Sequence, residues 1–152
     1  MQKKEYKPLT IPKLQWSKGL SDESGEFIAQ PLEPGFGATL GNALRRVALS
    51  SVEGSAVTSV IIKGVNNEFS SLKGVIEDVI NILLNIKNIV IKNESGLPGK
   101  MKLHVKGEAT VRVSDIVADE HLEVINKDYV LAHLADDGEW DIEFGGGTGR
   151  GY

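Results

Sequence analysis

The sequence contains no cysteine. A disulfide framework and a thiolate metal site are therefore excluded. Nor is there an excess of positive charge: 17 Lys and Arg stand against 21 Asp and Glu, a net charge of −4. A surface that holds duplex DNA by bulk charge needs the opposite balance, which leaves room only for a local basic patch. No apolar run approaches the roughly 20 residues that span a bilayer. The opening stretch MQKKEYKPLTIPK is charged and lacks the apolar core of a secretory leader, so a cytoplasmic protein without membrane contact is expected. Histidine is scarce, and His104, His121 and His133 show no i, i+2 or i, i+4 pairing of the kind that prefigures a zinc site. No serine sits in a nucleophile elbow. The acids at 136, 137, 139, 141 and 143 alternate with apolar residues and read as a wet strand face rather than a metal site. No catalytic residue, cofactor or metal is expected.

What is present suits a packed chain: 152 residues, 41% apolar and 25% charged, with room for one domain or two small ones. Its centre is the stretch EPGFGATLGNALRRVALSS at 33–51. The glycines of 35–41 sit where a phosphate loop would, and backbone N–H groups there could hold an anion. No Lys-Ser/Thr pair follows them, so a tight turn after Pro34 is the plainer account. A helical pattern follows, which Gly54 is placed to stop. At about 100° per residue, Leu40, Ala43, Leu44, Val47 and Ala48 share one apolar arc, while Asn42, Arg45, Arg46 and Leu49 lie opposite. A solvent-facing side would not ordinarily include Leu49. Both sides of this helix are therefore expected to be occupied, which points to an assembly part. Arg45 and Arg46 read either as surface residues near the helix end or as interface anchors, since Arg is enriched at hot spots.

Around that helix the pattern is strand-rich. Leu14 and Trp16 alternate, a turn at 21–25 follows, and 27–32 reads as a second strand. Past a boundary near 52–55, AVTSVIIK at 56–63 reads as a strand. Ser70 or Ser71 is placed to cap a helix to about Lys87, with Val75, Ile76, Val79, Ile80, Leu83 and Ile86 apolar and Glu77 and Asp78 in its early turns. Strands are expected at 89–92, 101–105, 109–113 and 129–134, and then through Trp140, Ile142 and Phe144 with Glu139, Asp141 and Glu143 opposite. The closing GGGTGRGY reads as a loop, with a docking or RNA-touching arm through Arg150 and Tyr152 as the alternative. The class is α+β in two parts, 1–53 and 54–152, without an internal repeat. The central helix wants more cover than residues 1–32 supply, so the chain is expected to be a piece of a longer one.

At GFGATLGNALRRVALSS the sequence resembles the N-terminal domain of the bacterial RNA polymerase alpha-subunit family. The resemblance continues through EGSAVTSVIIKGVNNEFSSLKGVIEDVINILLNIK to GRGY, covering most of 27–152. It implies a split dimerisation subdomain containing the central helix, with Leu40, Ala43, Leu44 and Val47 as its dimer or core face. A strand-rich subdomain is inserted after that helix. It implies a homodimer that seats the beta and beta-prime subunits and carries no nucleotidyl-transfer chemistry itself. Arg46, Leu49, Asn81 and Lys87 match family contact positions, with Arg45 adjacent; Asn81 stands where an acidic residue is expected. The family extends beyond Tyr152 into further strands, a second long helix and a DNA-binding C-terminal domain, so DNA contact is implied only through that domain. A rival reading is a small nucleic-acid-binding module using Arg45, Arg46, Arg150 and Tyr152, and a third is an enzyme binding phosphate at 35–41.

Overall fold

The computed structural model describes residues 10–21 and 23–151, with side chains described for all of these except 17–20. It is a mixed α+β chain that divides into two compact units, one ending at Val52 and the other spanning Glu53–Gly151.

Among the described residues the first unit holds an antiparallel hairpin and one helix. Strand β1 (Lys13–Ser21) pairs with β2 (Ser24–Gln30), and Trp16 faces Phe27 across the pair in an edge-on ring contact at 6.2 Å. Helix α1 (Phe36–Ser50) starts after Gly35, whose φ of 86° is a left-handed turn geometry open mainly to glycine. The Phe36 N–H is held by the Glu33 carbonyl at 3.0 Å, which makes the 33–36 segment the expected tight turn. The helix does not run on to Gly54. The Ser50 hydroxyl donates back to the Arg46 carbonyl at 2.6 Å and the Ser51 N–H to the Val47 carbonyl at 2.9 Å, and the next residues belong to a strand that contains Gly54.

The second unit is built on a four-stranded sheet in the order β3-β10-β5-β7. These are β3 (Glu53–Ile62), β5 (Gly99–Lys106), β7 (Val117–Ala118) and β10 (Glu139–Arg150). Two-stranded pairs complete it: β4 (Ile91–Asn93) with β8 (Leu122–Val124), and β6 (Ala109–Arg112) with β9 (Val130–Leu134). Period-two alternation works as expected here. Met101 and Leu103 on β5 and Trp140, Ile142 and Phe144 on β10 are buried. Their outward neighbours meet in charge register, Glu139 opposite Lys106, Asp141 opposite His104 and Glu143 opposite Lys102.

Two expectations are overturned in this unit. The glycine-rich end is no loop or free arm: Gly145 through Arg150 continue β10 and pair with Ser59 through Glu53 of β3. A Cβ at Gly145 would stand 2.3 Å from the Ser59 hydroxyl oxygen, and one at Gly147 would stand 3.0 Å from Thr58. Glycine is what lets β3 side chains fold over this strand. Thr58 is an extra residue in the ladder, and its hydroxyl donates to the Gly145 carbonyl at 3.2 Å.

The second helix is also shorter than its periodicity implies. Helix α2 (Val79–Lys87) is capped not by Ser70 or Ser71 but by Asp78, whose carboxylate accepts the Asn81 N–H at 2.8 Å. Gly74, at φ 77°, breaks any earlier helix, and a Cβ there would lie 2.4 Å from the Gly138 Cα. Residues 74–76 instead bond along β9: the Ile76 N–H to the His133 carbonyl at 3.0 Å and the Ala135 N–H to the Gly74 carbonyl at 2.9 Å. Val79, Ile82 and Ile86 enter the core, whereas Ile76 and Ile80, expected on the buried face, are exposed.

Candidate functional site

Residues of α1 set one surface. In the described structure α1 buries none of its residues. Leu40 is half-buried, while Ala43 is exposed and Leu44 and Val47 are 44% and 57% exposed. Leu40 and Ala43 line an apolar hollow of about 430 Å³ with Pro12, Leu32 and Phe36. On the opposite side Arg45 and Arg46 are exposed, and Leu49 is 44% exposed. Among the described residues neither arginine joins an ion pair. The helix therefore offers two faces: an apolar arc with small residues that permits close approach, and an Arg-Arg-Leu side that can combine charge-assisted hydrogen bonds with apolar contact.

Residues of α2 set the other surface, within the second unit. Asn81 and Lys87 both face outward. They share that side with Ile80 and Leu84, also exposed, of which the sequence pattern had grouped only Ile80 with the apolar face. The helix is fixed at each end by polar contacts to β9 and its approach. At its C-terminal end the Asn85 amide donates to the Leu131 carbonyl at 2.9 Å, the Asn88 amide to the Tyr129 hydroxyl at 3.1 Å, and the Asn126 amide to the Asn88 carbonyl at 2.8 Å. At its start the Glu77 carboxylate grips His133 twice, through the backbone N–H at 2.8 Å and through Nδ1 at 2.5 Å. Burial pushes the Glu77 carboxyl up, but the hydrogen bonds from the His133 imidazole and backbone outweigh it, and the group sits below its ordinary 4.5. His133 is thus a partnered residue, missed in sequence because 56 positions separate it from Glu77.

The predicted residues fall into two sets. Arg45, Arg46, Leu49, Leu40, Ala43, Leu44 and Val47 lie on α1 of the first unit, and Asn81 and Lys87 on α2 of the second. Arg150 ends β10 opposite Glu53, with the guanidinium 3.5 Å from its carboxylate. Tyr152 lies outside the described residues. No helix among the described residues is long and apolar enough to cross a membrane.

Comparison with known proteins places the chain in a family. The family model described as "RNA polymerase Rpb3/RpoA insert domain" matches residues 60–152. The chain is 43% identical over 141 residues to the DNA-directed RNA polymerase subunit alpha of Carboxydothermus hydrogenoformans, a match covering 93% of this chain and 45% of that protein. It is likewise 43% identical over 142 residues to the protein of that name from Desulfitobacterium hafniense, again 93% of this chain and 45% of the relative. The subunit alpha of Alkaliphilus metalliredigens is 45% identical over 135 residues, 88% of this chain and 43% of that protein. The chain thus spans less than half the length of these curated relatives. With most of the chain matched, it belongs to the RNA polymerase Rpb3/RpoA insert domain family.

Proposed function

We propose that this chain is a non-catalytic assembly part of a DNA-directed RNA polymerase, pairing with a second copy and seating the beta and beta-prime subunits. In this reading residues 1–53 contribute to a dimerisation subdomain and 54–152 form its insert, while the phosphodiester chemistry belongs to the large subunits. The observation that carries it is the double exposure of α1, a 15-residue helix with no buried residue. An apolar arc of this size left in water is the mark of a surface that another protein covers. The arc of Leu40, Ala43, Leu44 and Val47 would pack against the second copy. Arg45, Arg46 and Leu49 would meet beta, and Asn81 and Lys87 would meet the large subunits from the insert. The relatives named DNA-directed RNA polymerase subunit alpha support the same reading.

The test is capture of purified beta by the chain carrying Arg46→Ala and Leu49→Ala together. We expect capture to weaken at least about tenfold, as interface anchors do on truncation, with the circular dichroism spectrum unchanged. Undiminished capture by a folded variant overturns the assignment. A nucleic-acid module built on Arg45, Arg46, Arg150 and Tyr152 has less support: Arg150 already faces Glu53 across the strand pair, and the net charge is −4.

A further inference from the structure

We infer that Glu77 and His133 form a positioning clamp that sets the outward face of α2 for docking, rather than one more contact within the fold. For the identity of what docks, this inference rests on the assembly reading above; the clamp itself does not.

Helix α2 has only nine residues. In isolation a helix that short does not persist, because the first turn fixes several residues for a single hydrogen bond. Its direction must be imposed from outside. Two adjacent carboxylates divide that work. Asp78 faces the helix and takes the Asn81 N–H, while its own carbonyl receives the Ile82 N–H at 3.0 Å. Glu77 faces the other way and takes both donors of His133 on β9. The residue that caps the helix is thus bonded directly to the residue that grips the sheet, leaving no slack between them.

The clamp also has more grip than its site requires for satisfaction alone. Glu77 is 20% exposed at its side chain, so water could have served one of its oxygens. Instead both oxygens meet one residue, which fixes the carboxylate plane as well as its position. The segment beneath is already bound along β9 through the Ile76 N–H and the Gly74 carbonyl, so the clamp adds orientation at the point where chain direction changes from strand to helix. Asn81, exposed, lies one turn beyond that point, followed on the same side by Leu84 and Lys87. With Asn85 holding the far end to Leu131, the outward face is fixed at both ends before any partner arrives, which lowers the ordering cost of binding.

The experiment compares Glu77→Ala and Glu77→Gln in the full chain by amide hydrogen exchange and by capture of beta. Glu77→Ala should speed exchange at Asn81 and Ile82 about tenfold, as local opening does, while Leu103 and Ile142 in the β5–β10 ladder keep their protection. Glu77→Gln, whose amide oxygen still accepts the His133 N–H, should restore most of that protection. Capture should fall with Glu77→Ala and return with Glu77→Gln. Uniform acceleration across the unit, no acceleration at Asn81 and Ile82, or local opening with undiminished capture each overturns the inference. If Glu77→Ala does not fold, His133→Ala, which keeps the backbone N–H bond, gives the same comparison with a smaller change. The two readings fail separately: undiminished capture by the Arg46→Ala, Leu49→Ala variant removes the assembly reading, while the exchange pattern still reports on the clamp.

Discussion

Trp16 and Trp140 both sit on antiparallel strands, and they fare in opposite ways. Trp16, in the first unit, is 77% exposed and meets Phe27 across its hairpin. Trp140, in the second, is fully buried among Leu103, Ile142 and the other core residues of its unit, its indole N–H without a hydrogen-bond partner among the described residues. The difference lies less in the residues than in the number of layers. A two-stranded ribbon and one helix give apolar side chains nothing to close over them, whereas a four-stranded sheet with flanking pairs and a helix does. In the first unit the apolar residues of α1 are thus available to a partner surface. In the second a buried core commits many of them to the fold, while Ile80 and Leu84 on the outward side of α2 are among those left exposed.

Substitutions that break this contrast should differ widely in cost. Trp140→Ala should destabilise the chain by about 3–5 kcal/mol, the range for emptying a large aromatic site. Val47→Ala on α1 should change it by no more than about 0.5 kcal/mol, as at a surface position; urea unfolding of the two variants reads the difference. A large loss from Val47→Ala would mean that α1 is packed in the isolated chain. Next comes Gly74→Ala, which combines a left-handed backbone with a Cβ aimed at Gly138. It should cost at least about 2 kcal/mol, seen as a lowered Tm. Asp78→Ala should cost about 1 kcal/mol through loss of the helix cap, with Ser70→Ala and Ser71→Ala close to neutral; equal losses would restore the longer helix. The smallest effect is in pH dependence. Because the Glu77 carboxyl is held below 4.5, its contribution is present above that pH and is lost as pH falls through the depressed value. Glu77→Gln should flatten the acid limb of a stability–pH curve, and an unchanged limb would remove Glu77 from the acid response.

Much of this was legible in the sequence because it is local. Trp140, Ile142 and Phe144 declare a strand at period two, and the apolar arc of α1 declares itself at helical period. What was not legible depends on partners distant in sequence. The apolar residues at 75 and 76 continue the period of α2 backwards, yet Gly74 fits against Gly138 and Glu77 answers His133, so that stretch belongs to the edge of β9. Composition marks Gly145, Gly146 and Gly147 as loop, but their conformation is dictated by Thr58 and Ser59 of β3. Ile82 is fully buried although the apolar pattern that starts at Val75 omits it, because α2 begins only at Val79 and turns a different set of residues to the core. At the candidate site, the exposed side shared by the arginines and Leu49 follows from spacing on one helix, whereas the Glu77–His133 contact behind Asn81 does not.

The pairing of Glu53 with Arg150 has a mechanical consequence. The polypeptide enters the second unit and reaches the end of β10 on the same rung of one antiparallel ladder, so tension applied across those two points does not shear the sheet. It opens β3 from β10 one rung at a time, beginning at the Arg150–Glu53 contact and moving through the glycine track. Under load the ladder would peel from that end while the core around Trp140 stayed closed.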